Sequence, residues 1–144
     1  MRSIIVFAIS FLMLYTGSYA MIETLSLSEL VSGADLIVIG KTVTITTVET
    51  KPEGYTVIDN LFEVQECLKG QIPEGGQIKI TTLSGIEDST EFIAGEKFLL
   101  FLQKYENQYI VFNSPQGGWP INADGTFSRM GTGTTLEQVK AAIK

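Results

Sequence analysis

Histidine is absent from this 144-residue chain and cysteine occurs once, at Cys67. Without histidine there is no Ser-His-Asp or Cys-His catalysis, no ordinary zinc site and no imidazole pH switch. With one cysteine no intramolecular disulfide can form, so the fold must rest on its apolar core, not on the bridges that many small exported domains use. Cations are also scarce: ten Lys and Arg face sixteen Asp and Glu, a formal net charge of −6. A duplex binder has to bring cations to phosphates, so the balance argues against nucleic acid as a partner, and against an anionic membrane surface on the same ground. The chain also lacks a glycine-rich phosphate loop, a nucleophile elbow and an N-glycosylation triplet. No cofactor and no metal site is implied.

What is present begins with an export signal. Arg2 precedes the apolar run Ile4 to Tyr15, and Ser18-Tyr19-Ala20 places small residues at the spacing a signal peptidase reads. The run is too short for a membrane span before Gly17 and Ser18 interrupt it. Residues 1–20 are therefore expected to be a signal peptide, cleaved near Ala20, and residues 21–144 one domain with no membrane attachment, secreted or otherwise extracytoplasmic. Removing the signal takes Arg2 with it and no acid, which moves the net charge to about −7.

Along the remaining chain, short apolar segments alternate with turn signals. Ser26-Leu27-Ser28-Glu29 fits a capping box flanked by the Leu25 and Leu30 staple, predicting a short helix from Leu27 to Ser32 with Gly33 at its end. Leu36 to Ile39 is apolar throughout, as in a strand covered on both faces. From Lys41 onward the pattern alternates, with Val43 and Ile45 on one face and Thr42, Thr44 and Thr46 on a solvent face. Gly40 in mid-run predicts a bulge or bend. Tyr55 to Leu68, Gln77 to Thr82, Phe98 to Leu102 and Tyr109 to Phe112 read as further strands. Asp124-Gly125 reads as a hairpin turn before a last short strand at Phe127. Thr134-Thr135-Leu136-Glu137 predicts a second capping box and a C-terminal helix with Leu136, Val139, Ala142 and Ile143 on one face. No helices separate the strands, so the expected fold is mainly β: a small five-stranded Greek-key, OB-like barrel with a short helix at each end.

The segments "SELVSGADLIVIGKTVTI", "FEVQECLKG" and "AGEKFLLFL", in that order and spacing, resemble those of an exported, largely uncharacterised prokaryotic domain type. That type is similar to the netrin-like module, the five-stranded barrel also found in tissue inhibitors of metalloproteinases. The resemblance spans roughly residues 26 to 127 and implies a barrel that contacts another protein outside the cytoplasm, in a protease-inhibitor-like manner. Those inhibitors grip a catalytic zinc through a disulfide-clamped N-terminal cysteine. Here the expected mature start is Met21-Ile22-Glu23-Thr24, so any inhibition must work differently.

Candidate site residues follow from residue type. The stretch "SPQGGWPINADG", residues 114–125, holds the sole tryptophan, Trp119, which with Gln116 is the expected contact pair, because Trp contributes large contact area at low entropic cost. Pro115 and Pro120 fix the local backbone, so the cluster aims the indole either outward as a contact or into the barrel as a plug, the direction expected of a sole Trp. Cys67, preceded by Glu66, is expected to be a small buried hydrophobe, not a reactive thiol. Glu87, Asp88 and Glu91 share a loop without the residue order of a calcium site and read as a solvated acidic turn. Glu63 and Glu66 point to opposite strand faces unless a bulge intervenes. The expected function is a non-enzymatic binding module. Two rivals stand beside it: a carboxylate-dependent hydrolase using Glu87, Asp88 or Glu91, and a structural component of the cell envelope.

Overall fold

A computed structural model describes residues 23–144; the expected signal peptide and the mature start at Met21 lie outside the described residues. Helix α1, Leu27–Gly33, starts at the capping box read from the sequence: Glu29 N–H donates to Ser26 Oγ at 3.2 Å and Ser26 N–H to Glu29 Oε2 at 2.8 Å. The Ser26 N–H, and after it the Ser26 hydroxyl, hold the ionised Glu29 carboxylate and keep its pKa below its usual value. Strands follow at Leu36–Thr50 (β1), Thr56–Lys69 (β2), Gln77–Ser84 (β3), Lys97–Tyr105 (β4), Gln108–Val111 (β5) and Gly118–Pro120 (β6). Helix α2, Leu136–Ala142, closes the chain. Its capping box joins Thr135 to Gln138, one residue later than the Thr134–Glu137 pair expected from sequence. Two overlapping Thr-x-x-acid/amide registers were available, and the later one puts Val139 at the buried centre of the helix face.

Five strands close a barrel in the order β1-β2-β3-β5-β4, with β4 returning to β1. All contacts between neighbours are antiparallel except β3 with β5, giving the connectivity of an OB-like barrel. β6 is a sixth, three-residue strand on the free part of the β4 edge, and an isolated bridge joins Ile121 to Phe127 beyond it. Gly40 sits at a register shift of β1 against β2, the bulge its position predicted.

The apolar residues form two cores, one on each side of the β1–β4 wall. Inside the barrel lie Leu36, Val38, Phe62, Ile78, Ile80, Phe92, Phe98, Leu100 and Leu102. Outside the wall lie Ile37, Ile39, Leu99 and Phe101, covered by Leu30 and Val31 of α1, Val139 of α2, and Trp119 and Phe127. The uninterrupted apolar runs Leu36–Ile39 and Phe98–Leu102 are explained by these two layers: both faces of both strands are buried.

Beyond Lys41, β1 leaves this wall. Gly95 N–H caps the Thr42 carbonyl at 2.8 Å, and from there only β2 pairs with β1. The threonine stripe is corrected here. Thr42 is buried because it continues the interior-facing series Leu36, Val38 and Gly40, whereas Val43, Ile45 and Val48 are exposed along with Thr44 and Thr46 because no layer covers this arm. Cys67 is likewise exposed, its Sγ near the Lys69 and Gly70 carbonyls, and not buried as expected. The Gly40 bulge opposite Val64 shifts the alternation of β2, and Gln65, Glu66 and Cys67 are exposed in succession beyond the end of the β2–β3 ladder.

Candidate functional site

The segment 114–125 is held mostly inward. Trp119 is 3% exposed, its ring 4.9 Å from Phe101 and 5.4 Å from Phe127. The indole therefore neither plugs the barrel nor projects to solvent; it fills the second core, outside the β1–β4 wall. Its Nε1–H donates to the Gln116 carbonyl at 2.7 Å, which locks the turn between them. Gln116 is 8% exposed and works as a clamp. Its Oε1 accepts from Leu25 N–H at 3.0 Å and from Asn113 Nδ2 at 2.7 Å, while its Nε2 donates to the Leu25 carbonyl at 2.7 Å. One side-chain amide thus pairs with both backbone groups of the residue that leads into α1, as an added strand would. Gly117 is required beside it, since a Cβ there would meet the Phe112 and Phe101 carbonyls.

Gln116→Ala is expected to leave Leu25 N–H and C=O without partners and to cost about 1–3 kcal/mol. Hydrogen exchange at Leu25 and Ser26 should accelerate well beyond the global change. Unchanged protection there would show that the clamp is dispensable.

The cavity of interest lies at the weakest seam of the barrel. β3 and β5 run parallel and share one bridge, Ile80 with Tyr109, after which they diverge. The wedge between them is a groove of about 380 Å³. β3 lines it with Thr81, Thr82 and Leu83, and the β4–β5 hairpin with Tyr105, Gln108, Ile110 and Val111. Its far wall is the loop bearing Ile86, Asp88, Ser89 and Thr90, closed by Ser114. Ser114 is the one residue that the 114–125 stretch contributes to this lining.

The wall is fixed by short-range bonds. Asp88 adopts a left-handed backbone (φ 60°), tolerated by Asp, which turns its carbonyl to accept from Ser114 Oγ at 3.0 Å. Thr90 Oγ1 lies 3.2 Å from the same Ser114 hydroxyl, and Ser89 Oγ donates to the Ile86 carbonyl at 3.3 Å. Across the seam, Thr81 Oγ1 lies 2.6 Å from Gln108 Oε1 and 3.2 Å from Asp59 Oδ1. The groove therefore has a bonded polar frame around an apolar floor, and the nearly half-exposed Ile86 stands at its mouth.

The three loop carboxylates do not converge on this groove. Asp88 lines it, Glu91 is turned to the Ser84 hydroxyl at 3.2 Å, and Glu87 is exposed. The bulge at Gln65 sets Glu66 on the same strand face as Glu63, opposite Ile39 and Lys41 respectively, and Glu66 is engaged there by Lys140 at 3.3 Å. Among the described residues no cluster of three or more acidic or cysteine side chains is placed to hold a metal ion, and no helix is long and apolar enough to cross a membrane. The sequence did not single out this groove. Its one local signal was Ile86, an isolated large hydrophobe between Gly85 and two acids in an otherwise polar loop. No protein-family model and no curated protein matches the chain.

Proposed function

We propose that the chain is an exported, non-enzymatic interaction module that contacts another extracytoplasmic protein through the β3–β5 groove. The observation that carries this reading is the groove itself: an apolar floor beside an unpaired strand edge, with hydroxyls, one amide and the single carboxylate of Asp88 around it and no converging pair of carboxylates. Such a lining suits apolar side chains and backbone groups of a polypeptide. The resemblance to netrin-like barrels supports the same class, and a protease-inhibitor-like role through this groove needs no N-terminal cysteine. Gln116 and Trp119 support the surface indirectly, by holding the loop that carries Ser114.

The test uses Ile86→Arg. Ile86 is 45% exposed, so the variant should keep its stability within about 0.5 kcal/mol. A protein recovered with the wild type from the extracytoplasmic fraction of the source organism is purified and its affinity measured against both forms. We expect binding by the wild type and a loss of about tenfold or more in the variant. Equal binding by the two would remove the groove from the interface. Intact-mass measurement of the exported form should find a chain starting at Met21; a cytoplasmic product retaining residues 1–20 would refute export.

A further inference from the structure

Among the described residues, β1 beyond Thr42 and β3 beyond Ile80 each present an edge without a strand partner, and the two differ. The β1 edge beyond Thr42 is interrupted by register shifts near Val43 and Val48, the kind of irregularity that blunts an edge against pairing. The β3 edge is continuous: from Gln77 to Ser84 it holds unbroken register with β2 on one side, while β5 meets its other side only at Ile80. Residues Thr81–Ser84 thus present a regular edge to the groove. Side chains from both faces of this strand line the cavity, Thr82 from the interior face and Thr81 and Leu83 from the opposite one. A ligand that touches both faces of a strand lies along its edge, where backbone N–H and C=O groups point.

Charge narrows the occupant. Asp88 is the one carboxylate in the lining, Glu87 and Glu91 flank it on the same loop, and Glu106 follows Tyr105 at the opposite rim. No Lys or Arg lines the groove among the described residues, and the nearby Lys79 is engaged by Asp59 at 3.7 Å. An acidic rim around an apolar floor complements a segment with alternating apolar and basic side chains.

We infer that the groove takes an extended polypeptide segment carrying apolar anchors flanked by Lys or Arg, added as a strand along Thr81–Ser84. This deepens the proposed function and rests on it. The edge accommodates about four residues, roughly 13 Å of strand.

Three synthetic peptides test it against the purified protein by titration and amide hydrogen exchange. The first alternates Val or Leu with Lys, the second replaces each Lys by Glu, and the third is the first with alternate backbone amides N-methylated. The basic peptide should bind about tenfold or more tighter than the acidic one at low salt, with the gap narrowing as salt rises. It should slow exchange within Thr81–Ser84, and N-methylation should weaken it by about tenfold or more. Asp88→Asn should narrow the gap between the first two peptides. Equal binding of the N-methylated peptide, preference for the acidic one, or protection confined to Thr44–Thr47 overturns the inference. So does self-association in light scattering that protects Thr81–Ser84, since the occupant is then a second copy. If Ile86→Arg loses the captured partner while the peptides fail these criteria, the interaction reading stands and strand addition falls. If Ile86→Arg keeps that partner, the interaction reading itself falls.

Discussion

Trp119→Ala lowers the unfolding free energy by about 3–5 kcal/mol, the range for truncating a large buried aromatic. The residue is almost fully buried, packs edge-on against Phe101 and tilted against Phe127, and spends its one polar atom on the Gln116 carbonyl. Truncation would open a cavity between the barrel wall and its outer cover, where neither side can collapse freely. On one side is the paired β4 strand. On the other is the 3-10 turn Arg129–Gly131, whose Gly131 already lies so close that a Cβ would come within 2.7 Å of the indole. A domain of this size has only about 5–15 kcal/mol in total, so the variant stands near the edge of folding. Urea denaturation should show a lower midpoint at unchanged slope. A loss below about 1 kcal/mol would mean the outer layer is loosely packed and the second core is not a structural unit. Lost partner binding in this variant would report unfolding, which is why Ile86 and not Trp119 probes the interface.

The barrel was legible because its signals are local and redundant. Capping residues, turn glycines and the doubly apolar runs at Leu36–Ile39 and Phe98–Leu102 all point to strands between two terminal helices, and the structure has this form. The continuous runs even imply a cover on the outer face of the wall, although not what supplies it. The direction of Trp119 was not legible, since a buried indole can lie on either side of a wall that is apolar on both. Readings of face failed in two places: Thr42 continues the interior series of Leu36 and Val38 while no layer covers Val43 and Ile45, and beyond the bulge opposite Gly40 Cys67 is exposed. A bulge costs one residue of register and leaves no mark in residue type apart from glycines such as Gly40. The groove was hidden for another reason. It arises where two strands distant in sequence fail to stay paired, and Thr81–Ser84 reads the same whether its far edge is covered or open.

Gly40→Ala is the second severe case, and it tests the closure of the barrel itself. Gly40 is paired on both edges, with Val64 of β2 and Phe98 of β4, at the point where β1 bends from the wall into its exposed arm. A methyl group there would run into the Glu63 carbonyl and come within 2.8 Å of the fully buried Phe62 ring. The backbone carbonyl cannot rotate away without breaking the β1–β2 ladder, and Phe62 cannot move without displacing the interior core around Ile78 and Ile80. Overpacking of this kind costs about 3 kcal/mol or more when backbone, not a flexible side chain, is the obstacle. The matched control is Gly54→Ala in the turn between β1 and β2, where a Cβ meets nothing within 4 Å and only the positive φ of 98° opposes it. Chemical denaturation of the pair should therefore separate them clearly, with Gly40→Ala the less stable. Hydrogen exchange should place the damage on both ladders at once, in β2 near Val64 and in β4 near Phe98. Damage confined to β2 would mean that the β1–β4 closure holds independently of the bulge, and that the arm, not the barrel, depends on this glycine.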